Sequence, residues 1–192
     1  MAGSVRRYQI TGDDVRGEKT IIVGDVNTGK SIYTLRMLDT LAESEYPSVA
    51  VIDCAPQAVR GIGGKMREAE RSGILYLTTT IAALRLTGTS DEEILALAAV
   101  NARTIESIFD SYLRDPREIL FINDVTLYLQ AGSVERFVEV MESAGTLVMN
   151  AYRGTTFQDS PLSRRERRLL GEIMQRCNRV IGLSLSLAGT EE

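Results

Sequence analysis

The sequence predicts an α/β domain in which a mainly parallel sheet lies between two layers of helices, and three observations predict it. Short β-branched runs alternate with longer stretches of helical period. Those runs are apolar along most of their length, as strands buried on both faces must be. A glycine-rich turn joins the first run to the first helical stretch.

The elements follow in order. Thr20 to Val23 reads as the first strand, and the turn Gly24-Asp25-Val26-Asn27-Thr28-Gly29-Lys30-Ser31 leads into a helix from about Lys30 to Ala42. Ser48 to Asp53 is the second strand, and the shorter run Ile74 to Leu77 adds an edge strand. Ser90-Asp91-Glu92-Glu93 has the form of a capping box, in which a hydroxyl and a carboxylate satisfy the free N–H groups of a helix start. After it Ile94, Leu97, Ala98, Ile105, Ile108, Phe109 and Tyr112 share one face, so a long helix should run to just before Pro116. Glu118 to Asn123 is the next strand, Ser133 caps a helix, and Gly145 stands where that helix stops. Thr146 to Ala151 is a strand. Ser163-Arg164-Arg165-Glu166 matches a capping box again, opening a helix through about Cys177, and Arg179 to Leu185 closes the sheet.

At 192 residues, with 44% apolar and 25% charged residues, the chain suits one domain spanning residues 1–192. A formal charge of -4 makes no field that draws the whole surface to nucleic acid or anionic lipid. Cys54 and Cys177 lie outside any metal-ligand spacing and read as small core residues of a reduced compartment. No run reaches the roughly 18 apolar residues of a membrane span. A cytoplasmic protein with no membrane contact is expected. The chain has no histidine, so imidazole chemistry is excluded and any reaction must use carboxylates, Lys, Arg, hydroxyls or a metal ion.

The spacing Gly24-x4-Gly29-Lys30-Ser31 carries the chemistry. The two glycines let successive backbone N–H groups aim at phosphate oxygens, and the helix that follows adds its positive end. Lys30 would reach the β- and γ-phosphates, and the Ser31 hydroxyl would take one magnesium position. Asp124, at the end of an apolar strand, is the expected second holder of the metal, directly or through water. Its neighbours Val125 and Thr126 leave no following glutamate of the kind a fast motor would use. The ligand is a nucleoside triphosphate with Mg2+, ATP (or GTP), and the lack of an Asn-Lys-x-Asp guanine reader favours ATP.

Asp53 ends the second strand where the carboxyl ends of central strands converge, and is the candidate base toward a hydroxyl or water; a strand-end turn former is the other reading. Gly61-Ile62-Gly63-Gly64-Lys65 has the composition of a second anion loop but follows no strand, so a connector is the simpler expectation. The stretch from Asn150 to Pro161 is too long for a bare turn and reads as a binding loop or lid. Arg153, close to a strand end, is its candidate for neutralising charge on a transferring phosphoryl group, while Arg164, Arg165, Arg167 and Arg168 read as a solvated face. Tyr152 or Phe157 would stack on a base or pack the core.

With those residues in view, the carboxyl-terminal half resembles the RecA-like adenosylcobinamide kinase and guanylyltransferase family. Asp124-Val-Thr126-Leu-Tyr128-Leu is similar to its Asp-Cys-Leu-Thr-x-Trp-Leu segment, one residue shorter. Asn150-Ala-Tyr152-Arg153-Gly154, the arginine-bearing helix and Cys177-Asn-Arg-Val180-Ile-Gly-Leu resemble its Asn-Glu-Val-Gly loop, helix and last strand. The phosphate loop and the acid Asp53 also show a looser likeness to polynucleotide kinases. The first family forms a guanylyl intermediate on a histidine, which this chain lacks, so guanylyl transfer by that route is excluded. The expectation is a three-layer, RecA-like P-loop NTPase fold that binds the triphosphate and either hydrolyses it slowly or passes its γ-phosphate to a small-molecule acceptor. A switch that reports the bound nucleotide to a protein partner is the alternative; the oligomeric state is open.

Overall fold

The computed structural model describes residues 10–42 and 48–184. Six strands form one sheet in the order β3-β2-β4-β5-β1-β6, every pair parallel. They are β1 (Lys19–Gly24), β2 (Val49–Asp53), β3 (Ile74–Thr78), β4 (Ile119–Asn123), β5 (Thr146–Tyr152) and β6 (Arg179–Leu183). Leu185, where the last strand was expected to end, lies outside the described residues. The edge strand expected at Ile74 is β3.

The helices are α1 (Lys30–Ala42), α2 (Leu84–Thr87), α3 (Asp91–Leu113), α4 (Thr126–Leu129), α5 (Val134–Glu142) and α6 (Pro161–Met174). Side chains alternate between the two faces of each strand, and this splits the core in two. Ile22, Val51, Phe121 and Val148 pack with Met37, Leu38 and Leu41 of α1. Ile21, Ile52, Ile122 and Met149 face the other way, onto Ile105, Phe109, Phe137 and Leu169 of α3, α5 and α6. Burying both faces requires strands apolar at every position, which is why their sequence signal is a continuous run.

The capping serines act as their positions predict at two helices: Ser90 Oγ accepts from Glu93 N at 3.2 Å, and Ser133 Oγ from Arg136 N at 3.2 Å. The third expectation is corrected. The cap of α6 is Ser160, whose Oγ accepts from Ser163 N at 3.1 Å, with Pro161 in the first turn. Proline lacks the N–H that an opening turn leaves unpaired anyway, so Ser-Pro outcompetes the capping-box match three residues on. None of the described helices is long and apolar enough to cross a membrane.

Candidate functional site

The carboxyl ends of β1, β2, β4 and β5 meet in one crevice, and the phosphate loop lies across it. Gly24 is the last residue of β1, where a Cβ would come within 2.5 Å of Leu183 O, so only glycine lets the chain turn there. Asn27 (φ 56) and Gly29 (φ 83) take left-handed conformations that fold the loop back onto the start of α1. The first-turn N–H groups of α1 have no acceptor within the helix, and residues 26–32 line the crevice. Lys30 Nζ donates to Asp25 O at 2.5 Å. Burial pushes its ammonium below the ordinary lysine value, against the charges of Asp124 and Asp25.

Within the loop, Asp25 plays a different part from its neighbours. Its carboxylate accepts from Val26 N (2.7 Å), Thr155 N (2.9 Å) and Thr156 Oγ1 (2.6 Å). The bond from Thr156 is the main reason its pKa is lowered. Asp25 thus holds Lys30 with its backbone carbonyl and uses its side chain to tie the loop to the segment after β5.

Ser31 Oγ donates to Asn123 Oδ1 at 3.2 Å. Asn123, which the sequence reading passed over for its charged neighbour, is therefore the strand-end residue in contact with the loop. Its amide also donates to Asp53 Oδ1 at 2.9 Å and its Oδ1 accepts from Asn150 Nδ2 at 2.9 Å. Asp124 comes one residue later, at φ 58, and turns off the strand with its N–H on Asn150 Oδ1 (3.0 Å) and its carboxylate accepting from Thr126 Oγ1 (2.5 Å). Burial raises the Asp124 pKa, with the Thr126 bond and Lys30 opposing. Lys30 and Asp124 thus each lean toward neutrality for the same reason, desolvation.

Asp53 does not fit the role of base. It is fully buried and its two oxygens accept from Ala55 N (3.0 Å), Asn123 Nδ2 (2.9 Å), Met66 N (2.6 Å) and Tyr76 OH (2.7 Å). A carboxylate with four donors has no lone pair aimed at a substrate. It holds the segment from Cys54 to Met66 over the sheet. Lys65 serves the same end, donating to Ala55 O (2.7 Å) and Thr78 Oγ1 (2.6 Å). The Gly63-Gly64 part of that segment (φ 75 and 134) forms a wall of the crevice, with Lys65 turned to structural bonds rather than outward as in an anion loop.

Arg153 is also displaced from its expected place. Its backbone N–H donates to Gly24 O at 2.8 Å, but the residue is exposed and its side chain does not line the crevice. The arginine that does is Arg85, on α2. Its Nη2 pairs with Glu166 Oε2 at 2.7 Å, and its guanidinium lies over the rings of Phe157 (5.0 Å) and Tyr152 (5.8 Å). Short α2 is held from both sides. Asn101 of α3 accepts from Ala82 N (2.9 Å) and donates to Ala82 O (3.0 Å), and Leu84 is buried against Ala98 and Leu162. No periodicity marks a single turn of helix, so nothing in the sequence distinguished Arg85 from other surface arginines.

The stretch from Asn150 to Pro161, expected as a binding loop or lid, is pinned at several points. Besides Asp25, the Tyr152 and Phe157 rings meet edge to face at 5.0 Å, and Tyr152 OH accepts from Phe157 N at 3.2 Å. Both rings pack beside Arg85 rather than in the core. The resulting pocket has a volume of about 390 Å³.

Fold and loop define the class: a three-layer α/β fold of the RecA-like P-loop kind, with β4, the strand that Asp124 follows, separated from the loop-bearing strand β1 by β5. Among solved structures the chain is similar to the flagellar accessory protein FlaH from Methanocaldococcus jannaschii, with a TM-score of 0.51 and 12% identity over 92% of this chain and 75% of that one. The Pif1 helicase from Candida albicans gives a TM-score of 0.34 and 14% identity over 87% of this chain and 36% of that one, too distant to support an argument. At 12% identity the likeness to FlaH speaks for the fold alone. No protein-family model matches the sequence, and no curated protein does.

Proposed function

We propose that the chain binds a nucleoside triphosphate, ATP in preference to GTP, with magnesium, and hydrolyses it slowly or transfers its γ-phosphate to an acceptor in the adjoining pocket. The observation that carries this reading is the convergence on one crevice of the glycine-bounded loop, the start of α1, Lys30 and the Ser31 hydroxyl. Such an arrangement offers backbone donors and one cation to a polyphosphate before any acceptor is present.

The magnesium ion fits the donors available. Among the described residues no group of three acidic, cysteine or histidine side chains forms a metal site by itself. The holders would be the Ser31 hydroxyl and the Asp124 carboxylate, completed by phosphate oxygens, as is usual for an ion that dehydrates reluctantly. Asp124, whose ionised form burial disfavours, gains from a cation the countercharge that Lys30 supplies only in part. Bound there, magnesium would neutralise charge on the terminal phosphates.

For the chain's own residues the work is positioning and charge neutralisation. Lys30 meets the phosphates; Arg85 presents a second cation across the pocket, in the place first expected of Arg153; Asp53 and Asn123 set the spacing of the strand ends. Phosphate release and product analysis with Mg-ATP and Mg-GTP test this. Slow release, or a phosphorylated product when an acceptor is supplied, is expected, with ATP favoured. Absence of binding for both triphosphates would overturn it.

One observation favours the second reading, a nucleotide-dependent switch acting on a protein partner. Asp25 joins the phosphate loop to Thr155 and Thr156, so a change in the loop reaches the outer segment through two hydrogen bonds. Hydrogen exchange across residues 152–161, with and without a non-hydrolysable triphosphate, separates the readings. The switch requires a change there together with negligible turnover.

A further inference from the structure

The pocket wall facing the phosphate loop carries a cluster of which the triphosphate reading uses Arg85 alone, leaving Glu166 and Gln130 without a part in it. Glu166 is 2% exposed, and its Oε2 accepts both from Arg85 Nη2 (2.7 Å) and from Gln130 Nε2 (2.8 Å). Burial raises the Glu166 pKa, and the Arg85 charge opposes it. The bond from Nε2 fixes which way the Gln130 amide points. Gln130 is itself 2% exposed and lines the pocket, yet its Oε1 has no donor among the described residues. A buried amide oxygen without a partner is unfavourable unless something completes it.

Arg85 contributes the complementary half. Among the described residues Arg85 makes its hydrogen bonds through Nη2, with Glu166 and, at 3.4 Å, Ser163 Oγ, which leaves its other guanidinium N–H groups for a ligand. One side of the cluster therefore lacks a donor and the other has donors to spare. Leu84 and Leu127 add apolar surface beside it.

We propose that Gln130 and Arg85 form a second-ligand subsite for a neutral small molecule bearing a hydroxyl group, bound next to the phosphate loop. A hydroxyl both donates and accepts, so it can give its proton to Gln130 Oε1 and take an N–H from Arg85. Oε1 is buried in this structure, so the ligand would bind with a slight outward lean of the amide that keeps Nε2 on Glu166. A second anion is disfavoured: beside the bound triphosphate, an incoming carboxylate or phosphate would have to share Arg85 with the buried Glu166, and like charges so close together repel strongly. Cations meet Lys30 and Arg85 instead. The apolar surface suits the carbon skeleton of a polyol, sugar or aryl alcohol. The role of this ligand as acceptor rests on the triphosphate reading, but its binding chemistry does not.

Ligand-detected NMR on the full chain, with a non-hydrolysable Mg-ATP analogue present, tests the proposal using matched probes: glycerol against glycerate, glucose against glucuronate, and benzyl alcohol against benzoate. At least one neutral probe should bind, in preference to its charged counterpart, and Gln130→Leu should weaken it about tenfold or more. The matched pairs on the wild-type chain keep the test decisive should the variant fold poorly. Charged probes binding as well as neutral ones, or no probe binding, would overturn the subsite. Calorimetry of the same analogue is read separately. Binding of the analogue without any neutral probe sinks this inference alone, whereas probe binding without the analogue sinks the triphosphate reading alone.

Discussion

The two sides of the crevice are built in opposite ways. The phosphate-loop side is contiguous: residues 24–31 supply the turn, the cation, the hydroxyl and the helix start in one stretch between β1 and α1. The facing wall is assembled from Arg85 on α2, Gln130 after α4, Tyr152 at the end of β5, Phe157 after it, and Glu166 on α6. A local motif keeps its geometry wherever the strand and helix form. A wall gathered from distant segments exists only when the whole domain is packed, so it should be the more sensitive to single changes elsewhere.

Glu166→Ala should therefore be the largest single loss of stability, about 3 kcal/mol, because it leaves Arg85 without its buried partner and Gln130 Nε2 without an acceptor. Urea unfolding measures it, and a loss below about 1 kcal/mol would mean the wall is not held by this pair.

Gly154→Ala attacks the joint between the two sides. A Cβ there would sit 2.2 Å from Asp25 Cγ, so the three bonds of Asp25 must give way, at about 1–3 kcal/mol. Faster exchange of the Thr155 amide is the expected sign; unchanged protection would show that the joint absorbs the methyl group.

A smaller and pH-dependent effect is expected at Asp124. Its folded-state pKa is raised, mainly by burial, so the folded chain holds this proton more tightly than the unfolded chain. Stability is then lost as pH climbs from the ordinary carboxylate range through the raised value. Asp124→Asn should accordingly unfold at a higher temperature than wild type near neutrality in metal-free buffer, with the gap closing in acid. The same variant should lose the magnesium dependence of triphosphate binding more than metal-free binding. A variant less stable than wild type at neutral pH would contradict the first expectation, and equal losses with and without magnesium the second.

The smallest effect belongs to Arg153. Its exposed side chain predicts that Arg153→Ala changes stability by less than about 0.5 kcal/mol and leaves turnover near wild type. Lost turnover would return to Arg153 the role proposed for Arg85.

The same contrast decides what was legible beforehand. Strands buried on both faces announce themselves as apolar runs, and all six appear near their expected positions. The phosphate loop is legible because its geometry depends on its own residues. Asp53 and Asn123 were harder. Their strands pair in register, placing the two side by side, and only that juxtaposition turns one into the other's acceptor. Reading a carboxylate at a strand end as a base gave Asp53 too active a role, and preferring charge to amide passed over Asn123. Arg85 had no local signal at all, since its place depends on Asn101, Ala98 and Leu162 holding one helical turn.

Titration calorimetry of Mg-ATP into wild type and Lys30→Ala tests the central claim most directly. Lys30 lines the crevice, where the proposed reading sets it against the phosphates, and takes no part in the core, so the variant should keep its thermal unfolding while tight triphosphate binding is lost. Unchanged affinity for both Mg-ATP and Mg-GTP in a folded variant would contradict the account.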